Sequence, residues 1–211
     1  IPVMGTGDLI INGVTINASY ASDDTLSPPN NAAGSAIAKA VAINRESAAT
    51  GVNAVVNTNI MAGTAQSGTA AVTGRVVING VTSPTFTTVK NNTRASRIAA
   101  VDAINRISDI TGVVAVNSNS ESEGIALVAK DGRNIEVSFD TADSAADFSA
   151  RTGLREGVQA GTFSLESRVE GPIVISTSAT GTVHNAGLTV GDYTANVSTM
   201  STVTPDVVAG N

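Results

Sequence analysis

An internal repeat constrains the fold of this chain more strongly than any other feature. The segment Ile-Asn-Gly-Val-Thr occurs at residues 11–15 and again at residues 78–82. Each copy precedes an alanine-rich stretch that contains Ile-Asn-Arg, at residues 43–45 and 104–106, and then a Thr-Gly-Val segment. The copies are 67 residues apart at the turn (79 − 12) and 61 residues apart in the alanine-rich stretch (104 − 43). Three features in one order predict two copies of one structural unit.

Local patterns predict the structure of each part of the repeat. Asn-Gly between β-branched residues favours a type I′ turn, so residues 8–17 and 75–87 are expected to form β-hairpins or sharply turned strands. Helices are expected over residues 36–48 and 94–110. The Thr-Gly pair at the end of each stretch predicts a left-handed capping glycine, with a strand directly after it.

The second predicted helix carries large aliphatic residues at three-residue steps. These residues are expected to form one buried stripe: Ile98, Val101, Ile104 and Ile107. Its charged residues are expected to remain exposed: Arg97, Asp102 and Arg106. The helix is therefore predicted to pack one apolar face on a sheet.

Two later segments complete the predicted units. Residues 124–139 alternate around Asp131-Gly132 and predict a further hairpin. A counterpart for the first copy occurs at residues 161–176, beyond the second copy. The first copy is therefore predicted to be split, with the second copy inserted in it. Two or three domains in sequential order remain an alternative.

The predicted fold class is α+β, with two small domains that each consist of β-hairpins packed on one α-helix. Residues 7–61 together with 159–199 form the expected proximal domain. Residues 72–157 form the expected distal domain, inserted in the first. The Gly-, Ala-, Ser- and Thr-rich residues 62–71 are expected to be the linker that crosses between them.

Composition disfavours several classes of function. Only 3% of the residues are aromatic, so a pocket with aromatic walls would be hard to assemble. The net charge of −6 without a basic cluster disfavours nucleic acid as a partner. The absence of cysteine excludes disulfides, thiolate metal sites and cysteine nucleophiles. No apolar run approaches 18 residues, so a membrane partner is not expected, and the start at Ile1-Pro2 suggests an excised piece.

No catalytic, cofactor-binding or metal-binding residue is predicted, and the chain is not expected to be an enzyme. His184 is the only histidine, and it is expected to be a structural or surface residue because no Gly-x-Ser-x-Gly motif accompanies it. The acidic pairs lack the spacing of a calcium loop and are expected to be solvated: Asp23 and Asp24, Glu121 and Glu123, Asp140 and Asp143.

Three segments fit the acceptor sequence for N-linked glycans. They begin at Asn17, Asn91 and Asn196. The same triplet is common by chance in polar loops, so ordinary loop chemistry is the expected role. No glycosylated residue is predicted.

The repeated segments resemble the flagellin IN motif. The resemblance rests on Ile-Asn-Gly-Val-Thr, the Ala-Ile-Asn-Arg helix, the Thr-Gly-Val-x-Ala-Val strand, and Leu-x-x-x-x-Gly-Arg-x-Ile at residues 127–135. It covers most of residues 7–188. This motif is typical of the variable outer region of bacterial flagellins and of some hook-associated flagellar proteins.

The resemblance implies a secreted, extracellular structural subunit of the flagellar filament, whose outer domains form its exterior and antigenic face. It implies partners in other flagellin subunits, through a helical core that these residues do not include, and in antibodies or host surfaces. Residues 200–211 would return towards that core. The piece alone is expected to be monomeric. A hook-associated junction protein or an adhesin-like binding module is the alternative.

Overall fold

A computed structural model describes residues 1–194 and the backbone of residues 201–203. In this part of the chain the strands are β1 Ile10–Ile11, β2 Val14–Thr15, β3 Val52–Val56, β4 Asn59–Met61, β5 Thr73–Ile78, β6 Val81–Thr82, β7 Phe86–Thr87, β8 Val114–Asn117, β9 Ile125–Ala129, β10 Ile135–Thr141, β11 Gly157–Gln159, β12 Phe163–Ser167, β13 Ile173–Ser176, β14 Gly191–Tyr193 and β15 Ser201–Val203. The α-helices are α1 Ala36–Arg45, α2 Ser47–Thr50, α3 Thr93–Asn105, α4 Ser108–Thr111 and α5 Ala145–Thr152, and 3-10 helices occupy Ala21–Asp23, Ala32–Gly34 and Val183–Ala186. Helices combined with antiparallel sheets confirm the predicted α+β class.

The chain divides into two compact units. Unit 1 comprises Ile1–Asn57 and Gly161–Asn211, and unit 2 comprises Thr58–Ala160. Unit 1 contains sheets in the order β14-β13-β1-β2 and β15-β12-β3. Unit 2 contains sheets in the order β11-β10-β5-β6, with β7 also on β5, and β4-β9-β8. Each unit thus has one sheet built on an Asn-Gly hairpin and one three-stranded sheet.

The Asn-Gly hairpins are confirmed in both units. Asn12 and Gly13 have φ angles of 50° and 81°, and Asn79 and Gly80 have φ angles of 49° and 81°. Positive φ at both central residues is the requirement of a type I′ turn, which matches the right-handed twist of the two strands. In register, Ile11 faces Val14 and Ile78 faces Val81.

The predicted helices are confirmed with an interruption near the end of each. The first is broken at Glu46, between α1 and α2, and the second between α3 and α4. The capping glycines are also confirmed, because Gly51 has φ 71° and Gly112 has φ 68°. A strand begins within two residues of each glycine.

The prediction of a hairpin over residues 124–139 is wrong, as is its counterpart over residues 161–176. Strand β9 pairs with β8 and β4, whereas β10 pairs with β5 and β11 in the other sheet of unit 2. Strand β12 likewise pairs with β3 and β15, whereas β13 pairs with β1 and β14. Alternation and a turn show which face is buried and where the chain reverses, but they do not select the neighbouring strand. Here the connection crosses between the two sheets of a unit.

The predicted stripe on α3 is also wrong in part. Ile104 and Ile107 are buried, but Ile98 is 44% exposed, and Arg97 is buried with 3% of its surface exposed. The remaining buried residues of α3 are Ser96, Ala100 and Ala103. A three-residue step falls about 60° short of a full helical turn, so three steps carry a residue to the opposite face. The buried residues instead follow the 3.6-residue period.

Each unit has its own apolar core. In unit 2, the ring of Phe148 on α5 is fully buried, and its centroid lies 5.5 Å from that of Phe86 and 5.0 Å from that of Phe139. The core of unit 1 is mainly aliphatic, with Phe163 as its buried phenylalanine. Helix α5 follows β10 and lies beyond the elements predicted for this part of the chain. Its sequence carries the signals of a helix, because the Ser144 side chain accepts a hydrogen bond from the Asp147 N–H and the helix is followed by the left-handed capping residue Gly153.

Residues 62–71, expected to be a linker, lie in unit 2 as an irregular segment bound to α5. The Thr64 N–H donates to the Gly153 carbonyl at 3.0 Å, and the Ser67 N–H donates to the Ala150 carbonyl at 2.8 Å. Within the predicted return segment 200–211, residues 201–203 form β15 on β12. The rest of that segment and residues 195–199, with the acceptor site at Asn196, lie outside the described residues.

Candidate functional site

The polar residues that recur in both copies are the first candidates for a functional site. Asn44, at the end of α1, binds the backbone of Ala54 in β3 with both side-chain groups. Its Nδ2 donates to the Ala54 carbonyl at 2.9 Å, and its Oδ1 accepts from the Ala54 N–H at 2.7 Å. Asn105 binds Ala115 in β8 in the same way, at 3.1 and 2.8 Å. The asparagine of each Ile-Asn-Arg segment therefore forms the two backbone hydrogen bonds that a neighbouring strand would form at this position.

The turn asparagines have a similar role. Asn12 exchanges hydrogen bonds with the backbone of Val174, since its Oδ1 accepts from the Val174 N–H at 2.8 Å and its own N–H donates to the Val174 carbonyl at 2.9 Å. Asn79 makes the matching pair with Glu136, at 2.8 and 3.0 Å. These bonds continue the strand ladder past the end of each hairpin.

The repeated Thr-Gly pair closes the junction between helix and strand. The Thr50 hydroxyl accepts from the Val52 N–H at 3.1 Å, and the Thr111 hydroxyl accepts from the Val113 N–H at 3.2 Å. Both threonines are buried. A buried N–H without a partner would cost about 1–3 kcal/mol, so each repeated polar residue is explained by satisfaction of the backbone.

The two copies differ in what binds the threonine carbonyl. In unit 1, Asn12 Nδ2 donates to the Thr50 carbonyl at 2.8 Å. In unit 2, Arg133 donates to the Thr111 carbonyl at 2.8 Å, and its guanidinium also forms an ion pair with Asp131 at 2.5 Å. Burial raises the pKa of Asp131, but the hydrogen bonds and the charge of Arg133 outweigh it and lower the pKa below its ordinary value.

Two buried arginines bind residues 62–71 in unit 2. Arg97 donates to Asn117 Oδ1 at 3.0 Å and to the Gln66 side-chain oxygen. Arg151 donates to the carbonyls of Ser67 and Ala70 at 2.8 and 2.6 Å. A planar guanidinium with several fixed donors can satisfy such a group of oxygens, which is the physical reason that Arg97 is buried against expectation.

Asp8 is a buried carboxylate of unit 1. Its oxygens accept from the Gly5 N–H at 2.7 Å, from the Thr182 N–H at 2.7 Å and from Asn185 Nδ2 at 2.9 Å. Burial raises the pKa of Asp8, but the hydrogen bonds from Asn185, Thr182 and Gly5 outweigh it and lower the pKa. The carboxylate therefore ties residues near the start of the chain to the 3-10 helix at Val183–Ala186.

His184 lies on that 3-10 helix with its side chain exposed. The neighbouring residues Thr182 and Asn185, rather than His184, provide the hydrogen bonds to Asp8 that are described above. A Ser-His-Asp site needs the aspartate to orient the imidazole through a hydrogen bond. The oxygens of the nearby aspartate are instead used by backbone and amide donors.

The acidic pairs belong to different units, with Asp23 and Asp24 in unit 1 and the other two pairs in unit 2. Asp24 is buried, with Oδ1 accepting from the Leu26 and Ser27 N–H groups at 2.8 and 3.0 Å, so the expectation that it is solvated is wrong. An aspartate side chain that binds the backbone two or three residues later stabilises its own turn. Asp23 forms an ion pair with Arg45. Over residues 1–194, no group of three potential metal ligands is brought together.

Two of the possible glycan acceptors fall within the described residues. Asn17 and Asn91 are both exposed. Asn17 Nδ2 donates to Glu46 Oε1 at 3.2 Å, while the hydroxyl of Ser19 in the same triplet is buried and donates to the Ala33 carbonyl at 2.7 Å. The hydroxyl of this triplet thus has a structural role.

A surface that sequence reasoning missed lies on the three-stranded sheet of unit 2. The outward side chains of β4, β9 and β8 are Ile60, Ala126, Val128, Val114 and Val116, and three of them are more than two-fifths exposed. The signal was present in residues 124–129: besides the alternating Ile125, Leu127 and Ala129, the intervening Ala126 and Val128 are also apolar. Such a run is typical of a strand with two apolar faces.

Among the described residues, no helix has the length and apolar character needed to cross a membrane. Comparison of the chain with protein-family models gives no match. Comparison with curated proteins gives no match either.

Proposed function

We propose that the chain is the variable outer region of a bacterial flagellin, a structural part of the extracellular filament and not an enzyme. The observation that supports this most strongly is that the repeated polar residues form hydrogen bonds with the backbone. Asn12, Asn44 and Thr50, like their counterparts in unit 2, bind backbone groups within a unit. A motif whose repeated residues have a structural role fits a protein built of similar modules. The resemblance to the flagellin IN motif indicates that this protein is a flagellin.

The proposal includes a nested arrangement, with unit 2 inserted between two parts of unit 1. It is supported by the strand partners, because β3 pairs with β12 and β1 pairs with β13. Each pair joins residues that lie on opposite sides of residues 58–160 in sequence. In this arrangement unit 1 is the proximal domain and unit 2 the distal one. Contacts with other subunits would be made through the helical core of the family, outside these residues.

Labelling of the source bacterium tests the proposed location. Gold-labelled antibodies raised against the chain should bind along the full length of its flagellar filaments in electron micrographs. A single band where filament and hook join would favour the hook-associated alternative. Labelling of the cell surface or of a non-flagellar fibre, with bare filaments, would contradict the flagellar proposal.

A second experiment tests the adhesin-like alternative and the proposed absence of catalysis. His184→Ala should change the free energy of unfolding by no more than about 0.5 kcal/mol, as expected for an exposed residue. If the parent chain binds glycans on an array, or hydrolyses a substrate, the same measurement is repeated on His184→Ala. Any activity that is present in the parent chain and lost in His184→Ala would contradict the purely structural role.

A further inference from the structure

The two Asn-Gly turns carry a chemical reactivity on which the proposed function does not depend. Asn-Gly occurs only at residues 12–13 and 79–80. Glycine has no side chain to shield its amide, so in a free chain its nitrogen can attack the side-chain carbonyl carbon of the preceding asparagine. The local sequence therefore makes Asn12 and Asn79 the asparagines of this chain that are most prone to deamidation.

The deamidation reaction has water as its only co-reactant. The glycine nitrogen forms a bond to the asparagine Cγ and loses its proton, while the Cγ–Nδ2 bond breaks and ammonia leaves. The resulting five-membered succinimide then takes up one water molecule, which opens the ring at either carbonyl. The product is aspartate, or isoaspartate, in which the backbone runs through the former side chain.

The folded turn points the attacking nitrogen away from its target. With φ angles of 50° and 49°, Asn12 and Asn79 occupy the first central position of a type I′ turn, where ψ is about +30°. At that ψ the glycine nitrogen lies on the far side of the Cα–C bond from the asparagine Cβ. Closure of the ring needs the nitrogen beside Cβ, so the turn must open before the succinimide can form.

The side-chain amide is held as well. Asn12 Nδ2 donates to the Thr50 carbonyl at 2.8 Å, and Asn12 Oδ1 accepts from the Val174 N–H at 2.8 Å. Asn79 makes the matching bonds to the backbone of residues 134–136, at 3.1 and 2.8 Å. Rotation of the amide towards glycine breaks both bonds. Because both asparagines are only half-buried, the restraint lies in this geometry and not in exclusion of water.

We propose that Asn12-Gly13 and Asn79-Gly80 are modification sites that the fold keeps closed, and that each reacts only when its own hairpin opens. The turn must unwind and two side-chain bonds must break. Both changes occur when the hairpin separates from β13 in unit 1 or from β10 in unit 2. Local opening has its own free energy in each part of a protein. Deamidation at the two sites therefore reports separately on the two units.

Deamidation also prevents the hairpin from closing as before. An aspartate carboxylate has no N–H to donate, so at position 12 an oxygen would face the Thr50 carbonyl, and at position 79 it would face the Asn134 carbonyl. Two facing acceptors repel each other, and the carbonyl loses its donor. Isoaspartate adds one backbone carbon to the turn as well. A unit that has opened and reacted is therefore less stable after it refolds.

Deamidation of the whole 211-residue chain should depend on whether it is folded. The chain is incubated at one mildly alkaline pH in buffer and in concentrated guanidinium chloride, and peptide mass spectrometry locates the change from amide to acid. Both Asn-Gly sites should react more than about ten-fold more slowly in the folded chain, because only the opened fraction reacts. A peptide of residues 9–16 in both solutions corrects for the denaturant itself. Equal corrected rates would overturn the proposal.

Two core variants separate the units. Phe148→Leu reduces a fully buried side chain of unit 2, and Leu165→Val reduces one of unit 1. The first should accelerate deamidation at Asn79 several-fold and leave Asn12 unchanged, and the second should do the reverse. Ile98→Ala, at an exposed position, is the control and should change neither rate. Acceleration of both sites by one core variant, or of neither site, would contradict separate opening.

Variants that carry the product test the consequence of the reaction. Asn12→Asp and Asn79→Asp should each lower the urea midpoint of unfolding. Asn91→Asp, at an exposed position with φ 55°, is the matched control and should leave the midpoint unchanged. Unchanged midpoints for the first two variants would contradict the role of the side-chain bonds. Antibody labelling of filaments does not depend on these residues, so this proposal and the flagellar one can fail separately.

Discussion

Units 1 and 2 form the same junction between helix and strand from the same residues, yet they differ in core and surface. Asn44 and Asn105 each bind one alanine of the following strand, and Gly51 and Gly112 end the helices in the same conformation. The core of unit 2 is centred on three phenylalanine rings, whereas that of unit 1 is mainly aliphatic. Conserving the junction preserves the fold, because its backbone groups must be satisfied, while core and surface side chains can vary.

The largest difference is expected when the units are separated. Residues 58–160 alone should unfold cooperatively, because strands β4 to β11 pair with one another and all lie within this segment. Residues 1–57 alone should not, because β1 and β3 pair with β13 and β12. Joining residues 1–57 to 161–211 should restore folding. Urea unfolding followed by circular dichroism measures each case, and a folded 1–57 segment would contradict the nested arrangement.

The aromatic cluster should matter to unit 2 alone. Phe148→Ala removes a fully buried ring in contact with two others, which costs about 3–5 kcal/mol of unfolding free energy. Hydrogen exchange should show the loss in amides of β5 and β10, with little change in β3 and β12. Ile98→Ala, at an exposed position of α3, is the control and should have a small effect. Equal loss of protection in both units would show that they unfold together.

The junction asparagines should have matching effects in the two units. Asn105→Ala leaves two backbone groups of the buried Ala115 without partners and should destabilise unit 2 by about 2–4 kcal/mol. Asn44→Ala should do the same to unit 1. Asn17→Ala, which loses one exposed contact, is the control. Chemical denaturation with hydrogen exchange at Ala54 and Ala115 tests this, and unchanged protection would refute the role.

Acidification should affect unit 1 through Asp8, with a smaller effect. Hydrogen bonds lower the pKa of Asp8 below its ordinary value of 3.8, so its stabilising effect is fully present above pH 3.8. It is lost as the pH falls through the lower pKa of the folded state. Asp8→Asn should be less stable at neutral pH and should lose part of this acid dependence. Unfolding free energies measured from pH 6 to pH 2 check the sign, and an unchanged slope would contradict it.

The sequence alone determined the local structure of this protein. Asn-Gly turns, capping glycines and the positions of most helices and strands depend on backbone preferences of a few neighbouring residues, so Asn12-Gly13 and Gly112 could be predicted. The contacts of the candidate site residues could be predicted less well from the sequence. The repetition of Asn44 and Asn105 was visible, but their bonds to Ala54 and Ala115 depend on how the helix lies beside the strand.

Only the tertiary structure decided which strands pair and which side chains face outward. Strands β9 and β10 are adjacent in sequence and belong to different sheets, because pairing depends on the burial of both faces and not on the turn between them. Arg97 is buried because Gln66 and Asn117 satisfy it from distant parts of the chain. The exposed apolar face of β4, β9 and β8 has the same cause: an apolar run predicts burial, but whether another element of the chain covers each face is settled by the packing of the whole unit.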